Sequence, residues 1–115
     1  MIVKNRQYES MRFQNLSRKN YFEGWYYKQV TPDEKTVICF IPGVSVHQGE
    51  TIAFIQVILA QKSGETWEHT TDWLDYSEYS TQDEPFFIEI GGNVFRRDGL
   101  KIDFAGEQLQ VSGEV

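Results

Sequence analysis

The chain has 115 residues, 40% hydrophobic and 15% aromatic, with 17 acidic against 11 basic residues and a formal net charge of -6. A chain near this length buries roughly two-thirds of its unfolded surface, which suffices for one domain without disulfide staples, and the lone Cys39 excludes an intrachain disulfide in any case. The acidic balance repels polyanions, so nucleic acid is not an expected partner; no segment reaches the roughly 20 apolar residues of a membrane span.

The opening residues, 1–19, are polar, with Tyr8, Met11, Phe13 and Leu16 as scattered anchors. Their spacing fits neither helix nor strand, and the expectation is a solvated N-terminal arm followed by one β domain over residues 20–115. Met1-Ile2-Val3-Lys4-Asn5-Arg6 lacks the apolar core of a signal peptide, so a cytoplasmic location is expected. Next comes Asn20-Tyr21-Phe22-Glu23-Gly24-Trp25-Tyr26-Tyr27-Lys28, rings on both sides of one carboxylate and one glycine. A strand normally alternates because one sheet face is buried. A strand aromatic on both faces must bury both, or line a cavity with one of them.

Residues 25–30 read as a strand closed by the turn Thr31-Pro32-Asp33-Glu34. Residues 36–46 are β-branched but interrupted by Pro42-Gly43, which predicts a bend, a bulge or an edge position there. Cys39 lies in the apolar run Val37-Ile38-Cys39-Phe40 and reads as a small buried hydrophobe. Residues 51–60 are long enough for a helix, but Ile52, Ile55, Val57 and Ile58 favour a strand. Ser63-Gly64 turns into a strand over 66–74. Gly91-Gly92-Asn93 reads as a bulge, and Asp98-Gly99 as a type I′ hairpin turn between arms 93–97 and 100–104. Many short strands with little helix predict an all-β, antiparallel meander, closed as a barrel or partial barrel to remove its edges. The last strand stops in mid-pattern at Val115, which suggests a chain that continues.

Two strings carry a resemblance: Phe22-Glu23-Gly24-Trp25-Tyr26, then Ile41-Pro42-Gly43 after Phe40. Together with Phe87-Ile88-Glu89-Ile90-Gly91-Gly92-Asn93-Val94-Phe95 they resemble the tocopherol cyclase-like family, over the N-terminal part of a family member from about Phe13 onward. The resemblance implies a lipocalin-like β barrel that holds a hydrophobic or prenylated aromatic small molecule. It also implies a reaction in which a proton is delivered to a prenyl double bond and a phenol oxygen attacks the resulting cation. Such chemistry needs a carboxylic acid kept protonated in a water-poor cavity, with ring faces near the cation.

Glu23 among its rings is the candidate proton donor, because desolvation disfavours the ionised carboxylate. Trp25 and Tyr27 share its strand face and are candidate ligand-binding residues; Phe40 and Trp73 complete that set. The plainer alternative is that Glu23 pairs with Lys28 or Lys19. Asp72, Trp73, Asp75 and Tyr76 form a second acid-and-ring cluster, which a polar strand end with one buried tryptophan explains. His69-x-x-Asp72 and His47 are too few ligands for a metal centre, and Ser45 beside His47 lacks the third member of a triad, so neither metal nor cofactor is expected. The opening histidine- and glycine-rich motif and the C-terminal half of the family have no counterpart, so the chain by itself is expected to be inactive as a cyclase. Three functions follow: acid catalysis in a longer protein, non-catalytic binding of an amphipathic small molecule, or homo-oligomeric assembly through open strand edges.

Overall fold

The apolar run around Phe54 settles as a strand, because its β-branched residues pack on a pleated sheet better than around a helix. In the computed structural model, which describes residues 20–82 and 85–115, the same preference recurs along the chain: ten strands form, with no helix among the described residues. The N-terminal arm read over residues 1–19 lies outside them. The strands are β1 (Asn20–Gly24), β2 (Tyr27–Val30), β3 (Thr36–His47), β4 (Glu50–Ser63), β5 (Thr66–Tyr76), β6 (Tyr79–Gln82), β7 (Phe87–Ile90), β8 (Asn93–Arg96), β9 (Leu100–Ala105) and β10 (Gln110–Glu114).

Two antiparallel sheets result. The first runs β1-β3-β4-β5, with β2 continuing β1 along the same edge of β3; the second runs β10-β9-β8-β7-β6. The antiparallel meander read from the sequence is therefore present, among the described residues as two sheets rather than a closed barrel. Two-residue turns set the register of the long hairpins. Gln48 and Gly49 both take positive φ, 51° and 84°, between the paired His47 and Glu50, and this handedness matches the right-handed twist of the flanking strands. Gly91 and Gly92 do the same between Ile90 and Asn93 (φ 55° and 85°). The bulge expected at Gly91-Gly92-Asn93 is thus a tight hairpin turn.

Asp98-Gly99 also departs from its reading. The hairpin is there, but neither residue has positive φ; the loop closes with the Arg96 N–H on the Gly99 carbonyl at 2.8 Å. Val115 pairs with Leu100 through both backbone groups, and its carbonyl oxygen would lie 2.5 Å from a Cβ on Gly99.

Pro42 sits inside β3, which pairs on both sides. Its carbonyl accepts the Trp25 N–H at 2.9 Å. In an antiparallel strand the N and O of one residue point the same way, so the ring nitrogen faces the break between β1 and β2, and the ladder to β4 loses nothing. The strand expected over 25–30 accordingly begins at Tyr27.

The core lies between the sheets. Trp25, Tyr27, Phe40, Val44, Ile55 and Val57 of the first meet Phe86, Ile88, Ile90, Phe95, Ile102 and Phe104 of the second. Tilted ring pairs cross the gap, Trp25 on Phe86 at 6.2 Å and Tyr27 on Phe95 at 5.3 Å between centroids, geometries that suit the aromatic quadrupole. No helix among the described residues is long and apolar enough to cross a membrane.

Candidate functional site

Pairing register sorts the first sheet into two faces. Glu23 lies opposite Val44 and Ala53, and Tyr27 opposite Phe40 and Val57, all on the inward face. Lys28 lies opposite Cys39 and Ile58, on the outward face, so Lys28 does not reach the Glu23 carboxylate. The motif's two kinds of aromatic position are thereby separated: Trp25 and Tyr27 turn inward, while Phe22 and Tyr26 turn outward.

The inward members are fully enclosed. Glu23, Trp25 and Tyr27 have no exposed surface, and Phe40 has little. The Tyr27 hydroxyl donates to the Arg96 carbonyl across the sheets at 3.0 Å, and burial pushes the phenol well above its ordinary range.

Trp73 is placed elsewhere. It is 41% exposed on the outward face, where its ring stacks on Phe54 at 4.4 Å and its Nε1–H donates to Asp75 at 2.7 Å. Phe22 stacks on the other side of Phe54 at 5.0 Å. The buried tryptophan expected in the Asp72–Tyr76 cluster is therefore a partly exposed one, and the enclosed member is Asp72. Alternation accounts for this: Trp73 pairs with Gln56 and shares the outward side with Phe54, one residue out of phase with Asp72 opposite Val57.

Asp72 spans the two sheets. Its Oδ1 accepts the Trp73 N–H at 2.9 Å, and its Oδ2 accepts those of Gln108 and Leu109 at 2.8 and 2.9 Å. The Gln108 and Leu109 donors hold the carboxyl below the usual aspartate range. Cys39 is buried as read, its Sγ within 2.9 Å of the Tyr26 hydroxyl. That bond, with burial, pushes the Tyr26 phenol up to about 12.

A cleft of about 260 Å³ opens at one end of the core, between Gln29, Ile38 and Phe40 of the first sheet and Leu100, Ile102, Val111, Ser112 and Glu114 of the second. Phe40 alone of the expected ligand-binding residues lines it. Gln29 is the polar residue that sequence reading passed over. Its Nε2 is shielded from solvent and has no acceptor among the described residues, although buried polar groups are normally paired. The signal was present in the period of two, since Gln29 follows Trp25 and Tyr27 on the inward face. Among the described residues no cluster of three or more His, Cys, Asp or Glu is placed to hold a metal. Comparison with models of known protein families, with curated proteins and with solved structures finds no match.

Proposed function

We propose that this domain binds a hydrophobic or prenylated aromatic small molecule in the cleft between its sheets, acting as a lipocalin-like, tocopherol cyclase-like module of a cytoplasmic protein. The observation that carries the reading is the pairing of a largely apolar cleft with a shielded amide donor, Gln29 Nε2, that has no acceptor among the described residues. An apolar site with a placed donor selects a ligand with a matching acceptor. A quinone carbonyl or phenol oxygen supplies that acceptor, and the prenyl chain lies against Ile38, Phe40, Leu100 and Ile102. Leaving a buried donor unmade costs about 1–3 kcal/mol, which a bound acceptor returns.

Proton donation by Glu23 belongs to this reading only for a longer protein. The carboxyl is enclosed beside Val44 and Ala53, in a row separate from the residues that line the cleft. Binding without turnover is the function assigned to this chain.

The test is a titration with geranyl-benzoquinol, read by native mass spectrometry and calorimetry. The expected result is a one-to-one complex that Gln29→Leu weakens about tenfold and Ile102→Trp abolishes by filling the cleft. Squalene, which has no oxygen, should bind Gln29→Leu as well as it binds the unaltered chain. Binding indifferent to both substitutions overturns the assignment, and a chromanol product lost in Glu23→Gln moves it to catalysis.

A second reading, assembly through strand edges, is favoured by β5. This eleven-residue strand is an edge of the first sheet among the described residues and carries Trp67 and Trp73, each about two-fifths exposed. Long unpaired edges are templates for pairing with another chain. Sedimentation showing a monomer at high concentration removes it.

A further inference from the structure

The outward face of the first sheet carries a hollow larger than the inter-sheet cleft. A groove of about 490 Å³ runs across β2, β3, β4 and β5, lined by Tyr26, Lys28, Val37, Cys39, Ile58, Ala60, Trp67 and His69. Register explains the lining. Lys28, Cys39 and Ile58 form one outward row, and Val37, Ala60 and His69 the next. Three inter-strand spacings give the groove a span of about 14 Å. Val37, Ile58 and Ala60 make an aliphatic floor, Tyr26 stands at the β2 end, and Trp67, 40% exposed, stands at the β5 end.

The charges make the groove selective. In a chain of net charge -6 no carboxylate among the described residues lines it, and the two ionisable rim groups among them besides Tyr26 and Cys39 are both nitrogen bases, Lys28 and His69. A cationic amphiphile finds no counter-charge here, and a neutral one leaves Lys28 unused. The geometry points to a second ligand site, independent of the cleft, for an anionic amphiphile: a hydrophobic carboxylate whose apolar part lies on Val37, Ile58 and Ala60 against Trp67, with its carboxylate at the Lys28 ammonium. Lys28 reaches such a head group while its methylene stem stays on the apolar surface.

The experiment titrates the full chain with laurate and dodecyltrimethylammonium below their micelle concentrations, and with dodecanol below its solubility limit, by calorimetry and by amide chemical shifts. Laurate is expected to bind tightest and to shift the amides of Cys39, Ile58 and His69. Lys28→Gln should weaken laurate about fivefold, as for a partly exposed ion pair, and leave dodecanol unchanged. Trp67→Ala should weaken both, and Ile102→Trp, which plugs the cleft, should weaken neither. Equal binding of laurate and the cationic amphiphile overturns the proposal, as does laurate binding that Ile102→Trp removes and Lys28→Gln spares. A groove closed to all three amphiphiles, in a dimer that Ile58→Glu dissociates, also overturns it and assigns the face to a second copy of the chain.

Discussion

The Oδ2 of Asp72 accepts the backbone N–H of Leu109 at 2.9 Å, joining β5 of the first sheet to the turn before β10 in the second, 37 residues away. The bond to Gln108 doubles the attachment. Gly106 makes room for it, since a Cβ there would run into the same carboxylate oxygen. A side chain on a sheet of one layer thus fixes a turn of the other.

Asp72→Asn should therefore lower the denaturation midpoint at neutral pH and loosen the β9–β10 turn. The sign with pH follows from the depressed folded-state pKa. An aspartate stabilised as its anion contributes stability above the unfolded value, about 3.9, and loses it as pH falls through the lower folded value. Urea titrations over an acid series should show the unaltered chain and Asp72→Asn converging at the acid end. Parallel curves would mean that the charge is not what holds the turn. Gly106→Ala should show the same neutral-pH loss.

At the alkaline end the sign reverses in pH. The folded pKa of Tyr27 is raised by burial, and that of Tyr76 is raised chiefly by desolvation. Such phenols contribute stability fully below the unfolded value, about 10, and lose it as pH rises beyond. Tyr27→Phe should cost about 1 kcal/mol at pH 7, for the lost bond to the Arg96 carbonyl. It should also flatten the loss of stability above about pH 10, which thermal melts at stepped pH will read.

The ring stack on the outward face depends on a missing side chain. A Cβ on Gly43 would lie 2.5 Å from the Phe54 ring and collide with the Glu23 carbonyl. Gly43→Ala should cost about 1–3 kcal/mol by overpacking, and Phe54→Ala about 3–5 kcal/mol, since Phe54 is fully buried beneath Phe22 and Trp73. Trp73→Ala should remove the near-ultraviolet dichroism of the stack and leave binding in the inter-sheet cleft unchanged. A loss of cleft binding in Trp73→Ala would refute the separation of the two faces.

Asn93 is buried and does the work of a backbone link. Its Oδ1 accepts the Asp103 N–H at 2.7 Å, and its Nδ2 donates to the Ile90 carbonyl at 3.0 Å. Asn93→Ala leaves both groups unmet and should cost about 1–3 kcal/mol. Hydrogen exchange at Asp103 should accelerate before that of the first sheet.

Much of this was legible from local pattern. The alternation Glu23, Trp25, Tyr27 put the acid and two rings on one side, and Thr51 to Ala60 declared a strand by its β-branching. Other features were not. Gly91-Gly92 looked like a bulge because a sequence window cannot tell an extra residue within a ladder from the two residues that reverse it. Asp98-Gly99 has the composition of a type I′ turn, yet neither residue takes positive φ, in a loop whose Gly99 lies against the Val115 carbonyl. Trp73 was grouped with Asp72 by adjacency, although neighbours on a strand point to opposite faces.

Composition and period-two patterning by themselves determined that this chain makes antiparallel sheets, roughly where each strand lies, and which side chains share a face. They act between residues a few positions apart, where pleat and turn sterics decide. Only the tertiary structure decided which aromatic face became core and which became the wall of a groove, that Gln29 would be shielded without an acceptor among the described residues, and that Asp72 would meet Leu109. Those outcomes depend on how one sheet is laid on the other, a contact between distant segments that no local window contains.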